Sequence, residues 1–356
     1  MANTTTHADN TVTNWERKYL AEYTRANRFS KFEGTGSNNI VIAKEGNEQV
    51  ISIPFVSRLT GAGVTGSSAL VTNEEALTNY GWTLTPSYQR NAVVATKEEA
   101  EKPNFDLMAA AREQLGVWAK ANHRDNILDS LGAIYNGTTY STYAAAAEGA
   151  KDTWVTNNDG AVGRVLFGNA IGNQSGTDHS ASLAAVDATN DTFDTGIISL
   201  MKRMAQTAVP HIAPLRTRED EEFFVLFVGS LARRDLMAES AFQQATREAG
   251  VRGQDNPLFK AGDLMWDNVL IREVPEIAVI SGVGASSINV APIYLCGAEA
   301  IGHAFGQRPR MTQLQENDYD FKRGVGVEHK EDVKKMFFNN VQNGVVTGYV
   351  AGVADS

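Results

Sequence analysis

Two β-rich runs around a glycine-rich tip constrain this chain more than any other feature. The rising run is Gln49-Val-Ile-Ser-Ile-Pro-Phe-Val-Ser-Arg-Leu59, and the returning run is Gly81-Trp-Thr-Leu-Thr-Pro-Ser-Tyr-Gln-Arg-Asn-Ala-Val-Val-Ala-Thr96. Both are rich in β-branched and aromatic residues, so residues 49–97 read as one long hairpin. Pro54 and Pro86 each remove a ladder donor, which places the strands on an edge or in a free-standing ribbon. The tip between them, Thr60-Gly-Ala-Gly-Val-Thr-Gly-Ser-Ser-Ala69, reads as mobile. A two-stranded ribbon is marginal in water by itself, so it needs a surface to lie on.

Residues 1–48 have the same problem. They read as an arm, with a short helix that would stack Trp15, Tyr19 and Tyr23 at i, i+4 and i+8 before Gly34-Thr-Gly-Ser-Asn-Asn39 breaks it. An aromatic stripe on a segment too short for its own core points to docking on something else. The first 31 residues carry a balance of +2, opposite in sign to the chain's net −10, and read as an amphipathic arm with a solvated face.

The body is easier to read. Residues 104–135 form the clearest helix, with Asn104 as N-cap, Asp106 in the first turn and Leu107, Ala111, Leu115, Trp118, Leu128, Leu131 and Ile134 at helical spacing. Residues 136–192, rich in Gly, Ala, Ser, Thr and Asn, read as surface loops around short strands. An α+β region follows: a helix near 193–208, a buried strand over Phe223–Val228, and a helix from Ser230 to about Gly250. Strands are expected near 269–274 and 288–296, a small-residue helix over 297–306, and strands near 324–329, 333–338 and 344–351.

Composition narrows the function classes. Hydrophobic residues at 42% and charged residues at 21% fit a folded protein, and no apolar run approaches the ~20 residues of a membrane helix. The N-terminus has neither the basic start nor the apolar stretch of a signal peptide, so synthesis in the cytoplasm is expected. A net charge of −10 repels polyanions and argues against a dedicated DNA-binding protein. Cys296 is the only cysteine, which excludes an intrachain disulfide, and it ends an apolar strand as an expected buried thiol.

Chemical motifs are few. Gly61-Ala-Gly-Val-Thr-Gly66 matches G-x-G-x-x-G, but Ser67–Tyr80 is too short and interrupted for the helix a dinucleotide site requires. A ribbon tip is the better reading. The six histidines (His7, His123, His179, His211, His303 and His329) fall in no metal-ligand spacing and read as surface or core residues. The acidic run Glu219–Glu222 reads as a solvated turn before a strand, and no phosphate loop or nucleophile elbow appears. No catalytic set, cofactor site or metal site is expected.

The order of parts (arm, long ribbon, long helix, α+β body) resembles the Johnson, or Hong Kong ninety-seven-type, capsid fold. Ile53-Pro-Phe-Val-Ser-Arg-Leu-Thr-Gly-Ala-Gly-Val-Thr-Gly66 and Asn73-Glu-Glu-Ala-Leu77 resemble the ribbon of the major capsid protein family typified by the N-four-like tailed phages. Phe105-Asp-Leu107 and Trp118 are similar to its helix. Phe224-Val-Leu-Phe-Val-Gly-Ser230, Arg234-Asp-Leu236, Asn256-Pro-Leu-Phe259 and Asp267-Asn-Val-Leu-Ile-Arg-Glu273 are similar to its body, as are Gly297-Ala-Glu-Ala300, Asp318-Tyr319 and Lys334-Lys-Met-Phe-Phe-Asn339. The resemblance runs from about residue 45 to 350.

It implies an N-terminal arm over 1–48, an extension loop over 49–97, a peripheral domain over 98–192 with a spine helix at 104–135, an axial domain over 193–323, and C-terminal strands over 324–356 that return to the peripheral domain. The implied function is self-assembly, as pentamers and hexamers, into the icosahedral head around double-stranded DNA, with the protein residing in the virion. Intersubunit contacts are then expected from Trp15, Tyr19 and Tyr23 in the arm and from Arg58, Leu59, Val64, Leu70, Glu74, Glu75, Leu77, Tyr80, Trp82 and Arg90 in the ribbon. Expected partners are further copies of the chain, a portal protein, a scaffolding protein, a decoration protein, and packaged DNA held only by loose, non-specific proximity. Some relatives crosslink through an extension-loop lysine, but no lysine lies between Lys44 and Lys97, so a non-covalent shell is expected. No long N-terminal coiled-coil segment is present to act as a fused scaffold, which favours a separate scaffolding protein. The rival readings are an encapsulin-like nanocompartment shell and, more distantly, a dinucleotide-binding enzyme through Gly61–Gly66.

Overall fold

The computed structural model describes residues 25, 27–46, 49–67, 69–101, 106–159, 163–217, 220–251, 264–314, 319 and 321–355. Trp15, Tyr19 and Tyr23, and the expected N-cap Asn104, lie outside these residues. The first strands of the described residues are β1 (Glu33–Gly34), β2 (Val41–Glu45) and β3 (Ile51–Val56). After an irregular loop come β4 (Asn79–Leu84), β5 (Ser87–Thr96), helix α1 (Lys97–Glu101) and the long helix α2 (Leu107–Gly132). A small hairpin, β6 (Ile134–Tyr135) and β7 (Tyr140–Ser141), leads to α3 (Glu148–Asn158), β8 (Val165–Phe167), α4 (His179–Ala184) and α5 (Thr195–Thr207). Then follow β9 (Leu215–Arg216), β10 (Glu222–Val228), α6 (Ser230–Ala238), α7 (Ser240–Val251), β11 (Leu264–Trp266), β12 (Val269–Glu273) and β13 (Val290–Cys296). The chain closes with β14 (Ile301–Gln313), β15 (Lys322–Lys335), β16 (Phe337–Phe338), β17 (Val341–Gln342) and β18 (Val345–Ala351).

The chain divides into two compact units. The larger comprises residues 28–87, 124–306 and 331–356, and is built on a mixed sheet ordered β11-β12-β10-β13-β18-β8, with β9 paired to β10. β10 runs parallel to β12 and antiparallel to β13, and β13 pairs with β18 over seven residues, from Val290↔Ala351 to Cys296↔Val345. The apolar run of β10 is buried on both faces, and strand alternation divides it between two cores. Phe224, Leu226 and Val228 pack with Ile197, Met201 and Met204 of α5 and with Leu236 of α6. Val225 and Phe227 pack with Phe29, Ile40, Ile127 and Leu131. A third core gathers Ile53, Trp82 and Leu84 of the hairpin with Trp154, Phe167, Phe337 and Tyr349.

The smaller unit comprises residues 88–123 and 307–330. Here the outer parts of β14 and β15 join β5 in the order β14-β15-β5. Ala111, Leu115 and Ala119 on α2 pack on Val325 and Val327 of β15, flanked by Met108 and Trp118. These positions recur at helical spacing, so one stripe of α2 covers one sheet face. Asn122 of α2 hydrogen-bonds Gln89 of β5, whose Oε1 also lies 3.0 Å from Nε2 of the buried His329.

The structure corrects several expectations. α2 starts behind Asp106, whose Oδ1 accepts from the Met108 and Ala109 amides at 3.0 Å and so caps the helix. The helix stops at Gly132, so Ile134 belongs to a strand. The return run 81–96 is two strands, because Pro86 interrupts the ladder: β4 pairs with β3, and β5 enters the sheet of the smaller unit. Residues 136–192 are not mainly surface loops. They hold α3, with Trp154 at 0% exposure, and β8, an element of the central sheet. Of the expected helix at 297–306, residues 297–300 form a turn and residues 301–306 begin strand β14, and the helix from Ser230 is two helices. A Cβ on Gly302 would lie 3.0 Å from Ile53 and 3.1 Å from Leu84, so close strand-to-hairpin packing decides that segment against its helix-favouring alanines. The C-terminal strand β18 pairs on one side with β13 and on the other with β8, a strand of the segment 98–192.

Candidate intersubunit surface

The hairpin has two parts with different fates. Its stem, β3 and β4, pairs over six positions from Ile51↔Leu84 to Val56↔Asn79 and has a buried face. Trp82 is only 9% exposed, with Tyr135, Tyr140 and Phe337 around its ring at centroid distances of 5.2–6.0 Å. Trp82 was expected at a subunit contact. Its ring is instead spent inside its own chain. Phe55 stacks on Phe338 at 4.4 Å, a contact that sequence spacing does not signal because the two residues lie so far apart along the chain.

Beyond the stem, the described residues of 57–78 form no helix or strand, and nearly all of their side chains are exposed. Leu59 is 54% exposed, Leu70 62%, Val71 72% and Leu77 62%. Arg58, Glu74 and Glu75 are exposed, while Val64 and Tyr80 are half-buried. Val71 was not among the expected contact residues, although it carries the same signal as its neighbour Leu70. A concentration of large apolar side chains on one loop is what a monomeric surface avoids.

The loop is nonetheless shaped. The Ser57 amide donates to the Thr78 carbonyl at 2.9 Å, closing the neck. The Glu75 carboxylate accepts from the Thr60 and Gly61 amides, each at 2.7 Å, and from the Thr60 hydroxyl at 3.3 Å. These donors hold the Glu75 carboxyl below the usual carboxylate range, the Thr60 amide contributing most. Glu74 accepts from the nearby Thr72 amide at 2.8 Å. Gly63 and Gly66 adopt positive φ of 69° and 70°, and no helix follows them, which removes the structural context a dinucleotide site requires.

At the foot of the loop, Phe55, Val56, Tyr80, Phe338 and Val341 line a groove of about 560 Å³ with Arg58 and His211 at its edge. In the smaller unit, Gln89 points to α2, so alternation sends Tyr88 and Arg90 to the opposite face of β5. Tyr88 is 59% and Val94 54% exposed there; the Lys330 ammonium lies over the Tyr88 ring, and Arg310 pairs with Glu328.

The buried polar groups of the larger unit are tied into packing. His303, at 0% exposure, places its two ring nitrogens 2.6 Å from Glu33 and 3.1 Å from Glu331. His179 faces Glu148 at 3.0 Å, and burial holds its pKa below the ordinary value. Cys296 is buried as expected, and burial pushes its thiol pKa up. Lys335 is fully buried, donates to the Leu131 carbonyl at 3.0 Å and to Gln342 at 3.2 Å, and is pushed down to about 7 by desolvation.

A family model for phage capsid proteins matches residues 3–354. The chain belongs to the phage capsid protein family. The major capsid protein of Pseudomonas phage KPP25 is 26% identical to it over 371 residues, covering 95% of this chain and 94% of that one. The capsid of cyanophage Pam1 aligns with a TM-score of 0.89 at 31% identity, covering 100% of both chains. The capsid of Ralstonia phage GP4 aligns with a TM-score of 0.75 at 19% identity, covering 98% and 97%, and shares the fold. The fold is thus the Hong Kong ninety-seven-type α+β capsid fold, and this capsid protein is a tailed-phage major capsid protein, a structural part of the virion that assembles with itself. The comparisons do not favour an encapsulin-like shell or a dinucleotide-binding enzyme.

Proposed function

We propose that residues 57–78 are the extension-loop contact through which each capsid subunit grips its neighbour in a head of pentamers and hexamers around double-stranded DNA. The observation that carries this reading is the exposure of Leu59, Leu70, Val71 and Leu77 on a loop anchored by a buried stem. Covering each is worth on the order of 1 kcal/mol, given that about half of each side chain remains to be buried. Contacts of that size, repeated around a shell, permit error correction while closing it. Arg58, Glu74, Tyr80 and Arg90 complete the contact set, together with Val64 and, from the arm, Trp15, Tyr19 and Tyr23. A suitable receiving face on the neighbour is the side of β5 that bears Tyr88, Arg90 and Val94, whose cation and apolar groups complement Glu74 and the loop leucines.

In this reading residues 1–48 are the arm and 49–97 the extension loop. Residues 98–192 make up most of the peripheral domain, and 193–323 most of the axial domain. The subunit is made in the host cytoplasm and meets a scaffolding protein, a portal protein and a decoration protein. The net charge of −10 suits a wall that lies near DNA without adhering to it. Contacts remain non-covalent, and no enzymatic step is involved. The test is deletion of 61–77 with a short turn in its place, which spares β3 and β4. The deleted protein is expected to fold into soluble subunits or capsomers that do not close. Normal particles from it would refute the loop assignment.

A further inference from the structure

The glycine-rich tip that imitates a phosphate-binding motif does bind an anion, and the anion is the chain's own Glu75. Both carboxylate oxygens are engaged by successive backbone amides, Thr60 to Oε1 and Gly61 to Oε2, each at 2.7 Å. Successive amides converging on one anion form a backbone nest. Gly61 is what lets the carboxylate in, because a Cβ there would lie 2.6 Å from Oε2. The bond spans 14 residues and joins the two limbs of a loop that has no ladder beyond Ser57 and Thr78. Glu74 is a natural control. It has the same charge and is likewise exposed, yet among the described residues its carboxylate reaches only the Thr72 amide two residues away.

We propose that Glu75 is a positioning residue for assembly, a staple that holds the two limbs of the loop together so that Leu59, Leu70 and Leu77 are presented in a fixed arrangement before a neighbour arrives. This rests on the loop's role as an intersubunit contact and changes the expected role of Glu75 from partner-facing to inward-facing. Without the staple, the neighbour must order the loop while binding it, and that entropic cost falls on assembly rather than on folding.

The experiment compares full-length E75Q, E74Q and G61A with the wild type. Three quantities are measured: hydrogen exchange at the Thr60 and Gly61 amides, the melting temperature of the unassembled protein, and the rate of shell formation by light scattering. E75Q offers one acceptor where two are needed and turns an amide NH₂ toward a backbone NH. It is expected to speed exchange at both amides, leave melting unchanged, and slow assembly about tenfold. G61A evicts the carboxylate and should match it, and the double variant should be no slower than either single one. E74Q removes a contact charge but no bond to Thr60 or Gly61, so exchange at those two amides should stay at the wild-type rate whatever happens to assembly. Faster exchange at Thr60 and Gly61 in E74Q as well as in E75Q would assign the effect to lost charge and overturn the staple, as would unchanged exchange at Thr60 and Gly61 in E75Q. Normal shells from the deletion of 61–77 would instead refute the contact reading itself, so the two failures are distinct.

Discussion

The β13–β18 pair and the loop 57–78 are held in opposite ways. Every residue of Val290–Cys296 and of Val345–Ala351 is buried, and the two strands pair along their whole length. The loop has no ladder past its neck and leaves four large apolar side chains mostly in water. Burial fixes the first region inside one subunit. In the second, a few carboxylate-to-amide bonds give shape, and the account assigns the missing burial to a neighbour. A shell protein needs both, because a subunit complete in itself has no reason to assemble, and one with no core of its own cannot be a uniform building block.

The comparison breaks most visibly at the sheet. Ile293→Asp places an unpaired carboxylate in a core at 0% exposure and should cost more than about 4 kcal/mol, leaving little folded protein by circular dichroism or denaturant titration. Leu70→Asp combined with Leu77→Asp should do the reverse. Unfolding midpoints should change little, since surface changes usually lie within about 0.5 kcal/mol, while closed particles disappear from electron micrographs and sedimentation profiles.

A third test sharpens the buried side. Lys335 titrates at about 7 in the folded chain and near its ordinary value when unfolded. The unfolded state therefore binds the extra proton first as pH falls, and stability from this group is lost between about pH 10.5 and 7 and stays low below that. Denaturant midpoints at pH 7 and pH 10 should show a gain on the alkaline side, of several kcal/mol at most, that Lys335→Met lacks. An identical pH profile in the variant would remove Lys335 from the account. The smallest effect belongs to the loop. The Glu75 carboxyl is held below its usual range, so its staple is intact above the ordinary carboxylate pKa and is lost as pH falls through the depressed one. Exchange at the Thr60 and Gly61 amides, corrected for intrinsic pH dependence, should rise only below that point, and E75Q should show no such step.

Much of the fold was legible where local pattern and final environment agree. The Phe223–Val228 run could only be a strand buried on both faces, and the spacing of Ala111, Leu115 and Trp118 could only be a helix with one covered stripe. Pro86 carried the signal for the break between β4 and β5, but two apolar runs of similar composition on either side hid it. The segment 297–306 was misread because its alanines favour a helix, and the packing that overrides them comes from Ile53 and Leu84, far away in the chain. Trp154 was unreadable for the same reason, since its covering residues lie in other elements. In the candidate site, the exposed leucines were legible as apolar residues in a turn-rich tip. The inward role of Glu75 was not, because a hydrogen bond across 14 residues of irregular backbone leaves no periodicity in the sequence.

The central claim, that loop 57–78 gains its burial from a neighbour, is tested most directly by hydrogen exchange on the same protein before and after shell closure. The account predicts that the amides of 57–78 other than the hydrogen-bonded Ser57, Thr60 and Gly61 exchange rapidly in unassembled subunits and become protected in shells, while those of Val290–Cys296 and Val345–Ala351 are slow in both. Loop amides that exchange equally fast in subunits and in closed shells would contradict it.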